Sequence, residues 1–282
     1  MNTVPPTVGV IGGGRMGAGI AQVFAQAGAQ VTVIERDQAS AQSARARLAD
    51  GLRKAAERDA SVDADAVTGR IDVSVDYQAL QNADLVVEAV PEVFRLKVEA
   101  LQTAERVVSE SAWLATNTSS LSVTGLGGQL ARPGQLCGLH FFNPVPPSAL
   151  VEIVLTPSTD PDLRRQAGQW VTALGKTPIV VNDAPGFASS RLGVAIALEA
   201  MRMVEEGVAS AEDIDKAMVL GYRHAAGPLR TSDLVGLDVR LGIAEYLHET
   251  LGERFAPPRI LRDKVAAGEL GRKTGRGFFD YA

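Results

Sequence analysis

The chain has 282 residues, of which 46% are hydrophobic and 22% charged, and its formal net charge is −5. This length exceeds one typical compact core and predicts two domains, while the mild negative charge argues against a nucleic-acid partner. A single cysteine, Cys137, excludes an intrachain disulfide and favours a reducing, cytoplasmic location. No apolar run is long enough to cross a membrane, so we expect no membrane-embedded segment.

The stretch from residue 7 to residue 37 predicts a strand, a glycine-rich turn, a helix and a second strand. Gly12, Gly14 and Gly17 have the G-x-G-x-x-G spacing, which gives a tight turn, close backbone approach to a pyrophosphate and close packing of helix on strand. Glu35 ends the second strand, 18 positions after Gly17. A strand before the glycines, a helix after them and this acid together predict a dinucleotide site.

Glu35 also indicates which dinucleotide binds. A carboxylate at this strand end accepts hydrogen bonds from the adenosine ribose hydroxyls and repels a 2′-phosphate. The neighbouring Arg36 is the one argument for NADP, because a guanidinium can pair with that phosphate. We predict NAD.

Apolar periodicity predicts the other elements of the first domain. Helices are expected at residues 39–58, 77–82, 91–110 and 162–174, with a polar connection at residues 61–68. Strands are expected at residues 71–75, 84–88, 112–116, 135–142, 150–155 and 177–181. The helix opened by Pro91 is expected to carry Glu92 and Lys97.

The composition changes beyond Asn182, where we predict helices and no strand. Long helices are expected at residues 187–206, 232–251 and 259–267, and Ser210 with Asp213 is typical of a helix N-terminal cap. The predicted fold is therefore α/β: a Rossmann-type, doubly wound dinucleotide-binding domain at residues 1–183, followed by an all-helical domain at residues 184–282.

Polar residues at the carboxyl ends of strands are the candidates for chemistry, because ligands of open α/β sheets gather there. His140, one of three histidines, lies at the end of one predicted strand, and Glu152 interrupts the apolar run of the next. A buried carboxylate needs a partner, and the two strands are joined by a short Pro-rich turn. The pair can therefore be an imidazole base oriented by a carboxylate, or a purely structural contact.

Several motifs resemble those of the L-3-hydroxyacyl-CoA dehydrogenase family, and the resemblance runs along the full chain in the family's order. They are Gly12-x-Gly14-x-Met16-Gly17, Val87-Glu88-Ala89-Val90-Pro91-Glu92, Asn117-Thr118-Ser119-Ser120-Leu121, His140-Phe141-Phe142-Asn143-Pro144, Pro185-Gly186-Phe187, Gly227-Pro228 and the ending from Gly271 to Phe278. The chain is similar to the short, two-domain bacterial form of the family that acts on 3-hydroxybutyryl-CoA.

The resemblance implies a role for each matching residue. His140 is expected to be the general base and Glu152 to orient it, with Ser119 near the substrate thioester and Asn143 near the reacting centre. The expected NAD-binding residues are Gly12, Gly14, Arg15, Met16, Gly17, Glu35, Glu92, Lys97, Asn117 and Lys273. Without the resemblance, Glu92 and Lys97 are equally well explained as helix-surface charges, and Lys273 as a solvated tail residue.

One position departs from the family pattern. The family commonly has Asn three residues after the Phe of Pro-Gly-Phe, where it contacts the substrate, and this chain has Ser190 there. A hydroxyl is shorter than an amide but can both donate and accept a hydrogen bond. We therefore keep Ser190 as a predicted substrate contact.

The predicted function is NAD-dependent interconversion of a short-chain L-3-hydroxyacyl-CoA and its 3-ketoacyl-CoA. A homodimer is expected through the helical domain, whose predicted helices are apolar on more than one face. Two alternatives remain: a dehydrogenase of a free hydroxy acid or sugar acid, and a non-catalytic, crystallin-like nucleotide-binding protein. No His, Cys or Asp spacing predicts a metal site.

Overall fold

A computed structural model describes residues 3–281, so that Met1, Asn2 and Ala282, the outer ends of the two predicted domains, lie outside the described part. The chain divides into two compact units, Met1–Asp183 and Ala184–Ala282. Each unit has a hydrophobic core of its own. The predicted fold class, a doubly wound α/β unit followed by a helical one, is confirmed.

The first unit is built on one eight-stranded sheet with the order β3-β2-β1-β4-β5-β6-β7-β8. Its strands are β1 (Thr7–Ile11), β2 (Gln30–Ile34), β3 (Ile71–Ser74), β4 (Leu85–Glu88), β5 (Trp113–Thr116), β6 (Leu136–Phe141), β7 (Leu150–Leu155) and β8 (Thr177–Asn182). The chain order changes direction between β1 and β4, which is where ligands of such sheets bind.

The sheet is parallel except at one boundary. β6 runs parallel to β5, β7 runs antiparallel to β6, and β8 runs parallel to β7. Because β7 is reversed, its first residues lie at the edge of the sheet where β6 ends. This reversal sets His140 directly opposite Glu152 in the register of the two strands.

Helices accompany the sheet of the first unit. They are α1 (Arg15–Gln26), α2 (Gln38–Arg58), α3 (Ala64–Thr68), α4 (Phe94–Val107), α5 (Val123–Gly127) and α6 (Pro161–Ala173). The central strands are mostly apolar, as expected of parallel strands buried on both faces. Val10, Val33 and Val87 are completely buried in the core.

The described residues of the second unit, 184–281, contain five α-helices. They are α7 (Ser189–Glu205), α8 (Ala211–Lys216), α9 (Pro228–Val235), α10 (Leu237–Leu251) and α11 (Arg259–Ala266). Ser210 caps α8 by accepting from the backbone N–H of Asp213, as predicted. Asp233 of α9 is buried and accepts from the backbone N–H groups of Phe278 and Phe279, which fixes the end of the chain against this helix.

The structure contains α5, where no helix was predicted, and it corrects the predicted elements at four other places. Residues 61–68 contain α3, because the Asp63 side chain caps a helix there. The helix expected from Pro91 begins only at Phe94, so Glu92 lies before it. The helix expected at residues 187–206 begins at Ser189, because Phe187 has a φ of 51°. The helix expected at residues 232–251 is broken by Gly236, whose φ of 108° is not helical.

Gly17 is the least replaceable residue of the glycine turn. A Cβ added there would overlap the carbonyl oxygen of Gly12, which is backbone and cannot rotate away. Gly168 in α6 is a matched control, because a Cβ there has no neighbour within 4 Å.

We therefore predict that Gly17→Ala lowers the free energy of unfolding by ~3 kcal/mol or more, the upper end of overpacking costs. Gly168→Ala should raise it by about 0.5–1 kcal/mol, because alanine restricts the unfolded chain. Urea denaturation of both variants measures this. Equal stability of Gly17→Ala and the wild type would contradict the described turn.

Candidate active site

The glycine turn between β1 and α1 forms one wall of a cleft at the carboxyl edge of the sheet. Gly12 has a φ of 93°, a backbone conformation that glycine adopts without strain. A Cβ at Gly14 would meet open space, and no side chain caps α1 there. The amino end of α1 thus presents backbone N–H groups to a bare surface, which fits a diphosphate.

Glu35 lies immediately after β2 and borders the same cleft. One of its carboxylate oxygens accepts from the backbone N–H of Gly13 at 2.8 Å, which ties the acid to the glycine turn. Arg36 points to Asp37, with 3.0 Å between Nε and Oδ2, and its side chain is 84% exposed. The Glu35 carboxylate, and not the Arg36 guanidinium, is therefore fixed at the glycine turn. Arg15, Met16, Tyr77 and Leu96 also line the cleft.

A buried charge network lies at the ends of β4 and β5. Lys97 of α4 is 1% exposed, and its Nζ lies 2.8 Å from Glu88 Oε1 and 3.2 Å from Glu92 Oε2. Glu88 is fully buried and also accepts from the Thr116 hydroxyl at 2.6 Å. Burial raises the pKa of Glu88, while Lys97 and Thr116 act to lower it. Lys97 is thus an internal counter-ion and not a surface charge.

Glu92 joins this network to the loop that follows β5. Its Oε1 accepts from the backbone N–H groups of Ser119 at 2.9 Å and Ser120 at 3.2 Å, and from the Thr118 hydroxyl. Partial burial, which leaves this side chain 37% exposed, would alone raise the pKa of Glu92, but Lys97 and these donors lower it below its ordinary value. The carboxylate therefore holds the Ser119 loop in place.

His140 and Glu152 form the second buried polar cluster. His140 Nδ1 lies 2.7 Å from Glu152 Oε2, with the two side chains 7% and 0% exposed. His140 also packs against Phe142, with 4.5 Å between the ring centroids. A carboxylate can only accept a hydrogen bond, so this contact suits an imidazole whose Nδ1 donates to Glu152. The predicted contact is present.

Two asparagines flank this pair. Asn117 follows β5, and its Oδ1 accepts from the backbone N–H of Phe141 at 2.9 Å, so this amide is engaged by β6. Asn143 follows β6 and is exposed. It begins a Pro-rich loop, residues 143–148, that lies between β6 and β7.

A basic groove lies between α1, α2 and this Pro-rich loop. Its cations come from the two helices, and one acid, Asp50, pairs with Lys54 at 2.6 Å. The loop supplies Asn143 and the apolar wall. The four cationic residues that line the groove are Arg15, Arg47, Lys54 and Arg58. An elongated, partly apolar polyanion suits such a surface.

Two predicted site residues belong to the helical unit. The Ser190 hydroxyl makes no hydrogen bond within residues 3–281, so it does not donate to a backbone carbonyl one turn earlier in the chain. Lys273 lies in the C-terminal segment, and its Nζ lies 2.6 Å from both carboxylate oxygens of Asp238. Lys273 is therefore an ion-paired residue and not an isolated tail charge.

Sequence reasoning missed Glu88, Thr116 and Lys176. Glu88 ends an apolar strand, the same signal that identified Glu152, so it could have been found. Lys176 is buried and donates to three backbone carbonyls, and backbone partners of this kind cannot be recognised from the sequence.

Across residues 3–281 no group of three His, Cys, Asp or Glu is arranged to hold a metal ion. None of the helices described is long and apolar enough to cross a membrane.

Two family models match this chain. The model of the 3-hydroxyacyl-CoA dehydrogenase NAD binding domain matches residues 7–184. The model of the 3-hydroxyacyl-CoA dehydrogenase C-terminal domain matches residues 186–281. Together they span nearly the whole chain.

Individual proteins are similar over their full lengths. A probable 3-hydroxybutyryl-CoA dehydrogenase of Deinococcus radiodurans is 42% identical over 275 residues, which cover 97% of this chain and 99% of that protein. The crystal structure of FadB2 of Mycobacterium tuberculosis matches with a TM-score of 0.95 and 41% identity, covering 99% of this chain and 100% of that one. The crystal structure of the (S)-3-hydroxybutyryl-CoA dehydrogenase PaaH1 of Ralstonia eutropha matches with a TM-score of 0.93 and 38% identity, covering 99% of this chain and 99% of that one.

The lowered pKa of Glu92 generates a prediction about pH and stability. A carboxyl whose pKa is lower in the folded state stabilises that state above its ordinary pKa of 4.5. This contribution is lost as the pH falls below 4.5 through the folded-state value. Glu92→Gln should therefore be less stable than wild type at neutral pH, with the difference shrinking below pH 4.5.

Urea denaturation between neutral and acid pH measures this difference in the free energy of unfolding. Glu99→Gln is the control, because Glu99 is an exposed carboxylate of α4 that pairs with Arg95. Its effect should be small at every pH, since exposed ion pairs contribute little. A Glu92→Gln difference that stays constant across this range would rule out the described network.

Proposed function

This chain belongs to the 3-hydroxyacyl-CoA dehydrogenase family, and we propose that His140 and Glu152 perform proton transfer on a short-chain substrate such as 3-hydroxybutyryl-CoA. The chain is an NAD-dependent oxidoreductase that interconverts L-3-hydroxyacyl-CoA and 3-ketoacyl-CoA. The observation that carries the proposal is the 2.7 Å contact between His140 Nδ1 and Glu152 Oε2 in two buried strands.

His140 acts as the general base in the oxidation direction. Its Nε2 takes the proton of the substrate's C3 hydroxyl, and the ring becomes an imidazolium. Bound NAD supplies the acceptor for the hydride that leaves C3. The carboxylate of Glu152, buried beside Nδ1, stabilises the positive charge as it forms and keeps the ring oriented. In the reduction direction the imidazolium returns the proton to the carbonyl oxygen.

The residues that hold NAD are assigned by their chemistry. Gly12, Gly14 and Gly17 bring the amino end of α1 to the diphosphate, and Glu35 accepts from the adenosine ribose. The open space at Gly14 and the place of Glu35 on the turn support this assignment. Further cofactor contacts are proposed for Arg15, Met16, Glu92, Lys97, Asn117 and Lys273.

Polar side chains are proposed to hold the acyl end of the substrate. Ser119 is placed near the thioester, and its loop is fixed by Glu92. Asn143 is placed beside the reacting centre. Ser190 takes the part of the Asn that the family commonly has, and its hydroxyl, which makes no bond within residues 3–281, is available for this contact.

The basic groove is proposed to take the phosphorylated end of coenzyme A. Coenzyme A carries diphosphate and 3′-phosphate groups on a long, partly apolar arm, and guanidinium groups bind phosphates well. The cations of the groove are Arg15, Arg47, Lys54 and Arg58. Asn143 also lines the groove, and it follows His140 closely in the sequence. A free hydroxy acid has no phosphate groups for these cations to bind.

Assembly and location are proposed with this function. Exposed apolar side chains on the helical unit support a homodimer through that unit, since such patches mark interaction surfaces. They are Leu192, Ile196, Val208, Leu220, Tyr222, Leu234, Val235 and Val239. A cytoplasmic location fits Cys137, a buried free thiol whose pKa burial raises to about 12.

The proposed function is tested by following NADH oxidation with acetoacetyl-CoA and with free acetoacetate. We predict rapid turnover of acetoacetyl-CoA and NADH, slow turnover with NADPH, and slower reduction of 3-ketodecanoyl-CoA. A preference for free acetoacetate would identify a hydroxy acid dehydrogenase instead. No turnover of any of these compounds would support a non-catalytic nucleotide-binding protein, and equal rates with NADPH would contradict the role of Glu35.

Replacing the base tests the role of His140. His140→Gln should lower kcat by roughly 10²–10⁴, because only the proton-transfer step is lost. The affinity for NADH, measured by fluorescence titration, should persist. His248→Gln is the control, since His248 lies on α10 and pairs with the exposed Glu253 at 3.1 Å. Near-normal kcat in His140→Gln would exclude it as the base.

A further inference from the structure

Lys176 is a buried cation that the proton-transfer chemistry does not use. It is 7% exposed and lies in the turn between α6 and β8. Its Nζ donates to the backbone carbonyls of Val145 at 2.7 Å, Ser148 at 2.6 Å and Pro146 at 3.3 Å. No carboxylate pairs with it anywhere in residues 3–281. All of its partners belong to the Pro-rich loop.

This loop has few other means of holding its shape. Pro144, Pro146 and Pro147 have no backbone N–H, so half of residues 143–148 cannot donate a main-chain hydrogen bond. Carbonyl oxygens that turn inward without a partner are costly. An ammonium with three donors can bind several of them at once, which a neutral side chain of the same length cannot do. Lys176 therefore replaces the missing backbone donors.

Burying the Lys176 ammonium costs free energy, because the charge loses its contact with water. Burial lowers the pKa of Lys176, as expected when a cation leaves water without a carboxylate partner. A residue that only filled space at this turn would be better served by an apolar side chain. The cost is consistent with a requirement for one particular loop conformation.

The Pro-rich loop lines the basic groove but not the cleft at the glycine turn. Asn143 to Pro147 line the basic groove beside α1 and α2. None of these residues lines the cleft formed by the glycine turn and Glu35. A change in the loop should thus affect what binds in the groove and leave dinucleotide binding in the cleft unaffected.

We propose that Lys176 is a positioning residue for acyl-CoA binding: its ammonium fixes the Pro-rich loop so that Asn143 and the wall of the basic groove fit the substrate. This inference rests on the proposed function, because it takes the groove as the site of coenzyme A. Lys176 does not touch the reacting atoms. Its action passes through the three carbonyls of the loop.

The test replaces Lys176 with Met, an unbranched side chain of similar length that cannot donate. Titration calorimetry should show coenzyme A bound about tenfold more weakly by Lys176→Met, as hydrogen bonds from a charged group are lost. The KM for acetoacetyl-CoA should rise by a similar factor, and the Kd and KM for NADH should stay within about twofold. Lys176→Arg, which keeps the charge and the donors, should recover most of the affinity.

Val67→Ala is the control for a general loss of stability, because Val67 is a buried core residue on α3, outside both surfaces. It should lower the Tm and leave both affinities unchanged. If Lys176→Met does not fold, Lys176→Gln takes its place with the same expectation. Wild-type affinity for coenzyme A in the neutral variant, or an equal loss for coenzyme A and NADH, would overturn the inference. Failure of the wild type to reduce acetoacetyl-CoA would instead refute the proposed function.

Discussion

The contact between His140 and Glu152 depends on one reversal of strand direction. Because β7 runs antiparallel to β6, the third residue of β7 stands opposite the fifth residue of β6, at the edge where ligands of the sheet gather. A parallel β7 would put its first residues at the far edge, and a shift of one residue would turn Glu152 to the other face. Sheet topology thus places His140 Nδ1 against the buried carboxylate of Glu152, and the contact gives that carboxylate the partner it needs.

The same edge of the sheet holds two further buried charges, and each is satisfied in its own way. Lys97 is neutralised by Glu88 and Glu92, and through Glu92 it fixes the loop of Ser119. Lys176 has no carboxylate partner and is satisfied by carbonyls of a loop that is poor in N–H groups. Breaking a buried pair leaves an uncompensated charge, so these residues tie local order to fold stability. The loops that we propose contact substrate are therefore held by charges beneath them.

Sequence patterns predicted the parts of the fold that depend on local chemistry. The glycine spacing with Glu35, and a carboxylate interrupting the apolar run around Glu152, each have a direct physical reason and could be interpreted without a structure. The break at Gly236 could not, because an isolated glycine within a helical pattern is tolerated as often as it ends a helix. Lys176 could not be found either, since a lysine after a helix end is ordinary and its partners are backbone atoms. Long-range contacts with main-chain groups produce no pattern in the amino-acid sequence.

The central claim, that His140 and Glu152 act as one unit, is tested most directly by a double-mutant cycle on kcat. The variants are His140→Gln, Glu152→Gln and the double variant, assayed with acetoacetyl-CoA and NADH. Because Glu152 acts only through the imidazole, the double variant should be no slower than His140→Gln alone, as in other catalytic units. Losses that multiply in the double variant would show that Glu152 contributes independently of His140 and would contradict this account.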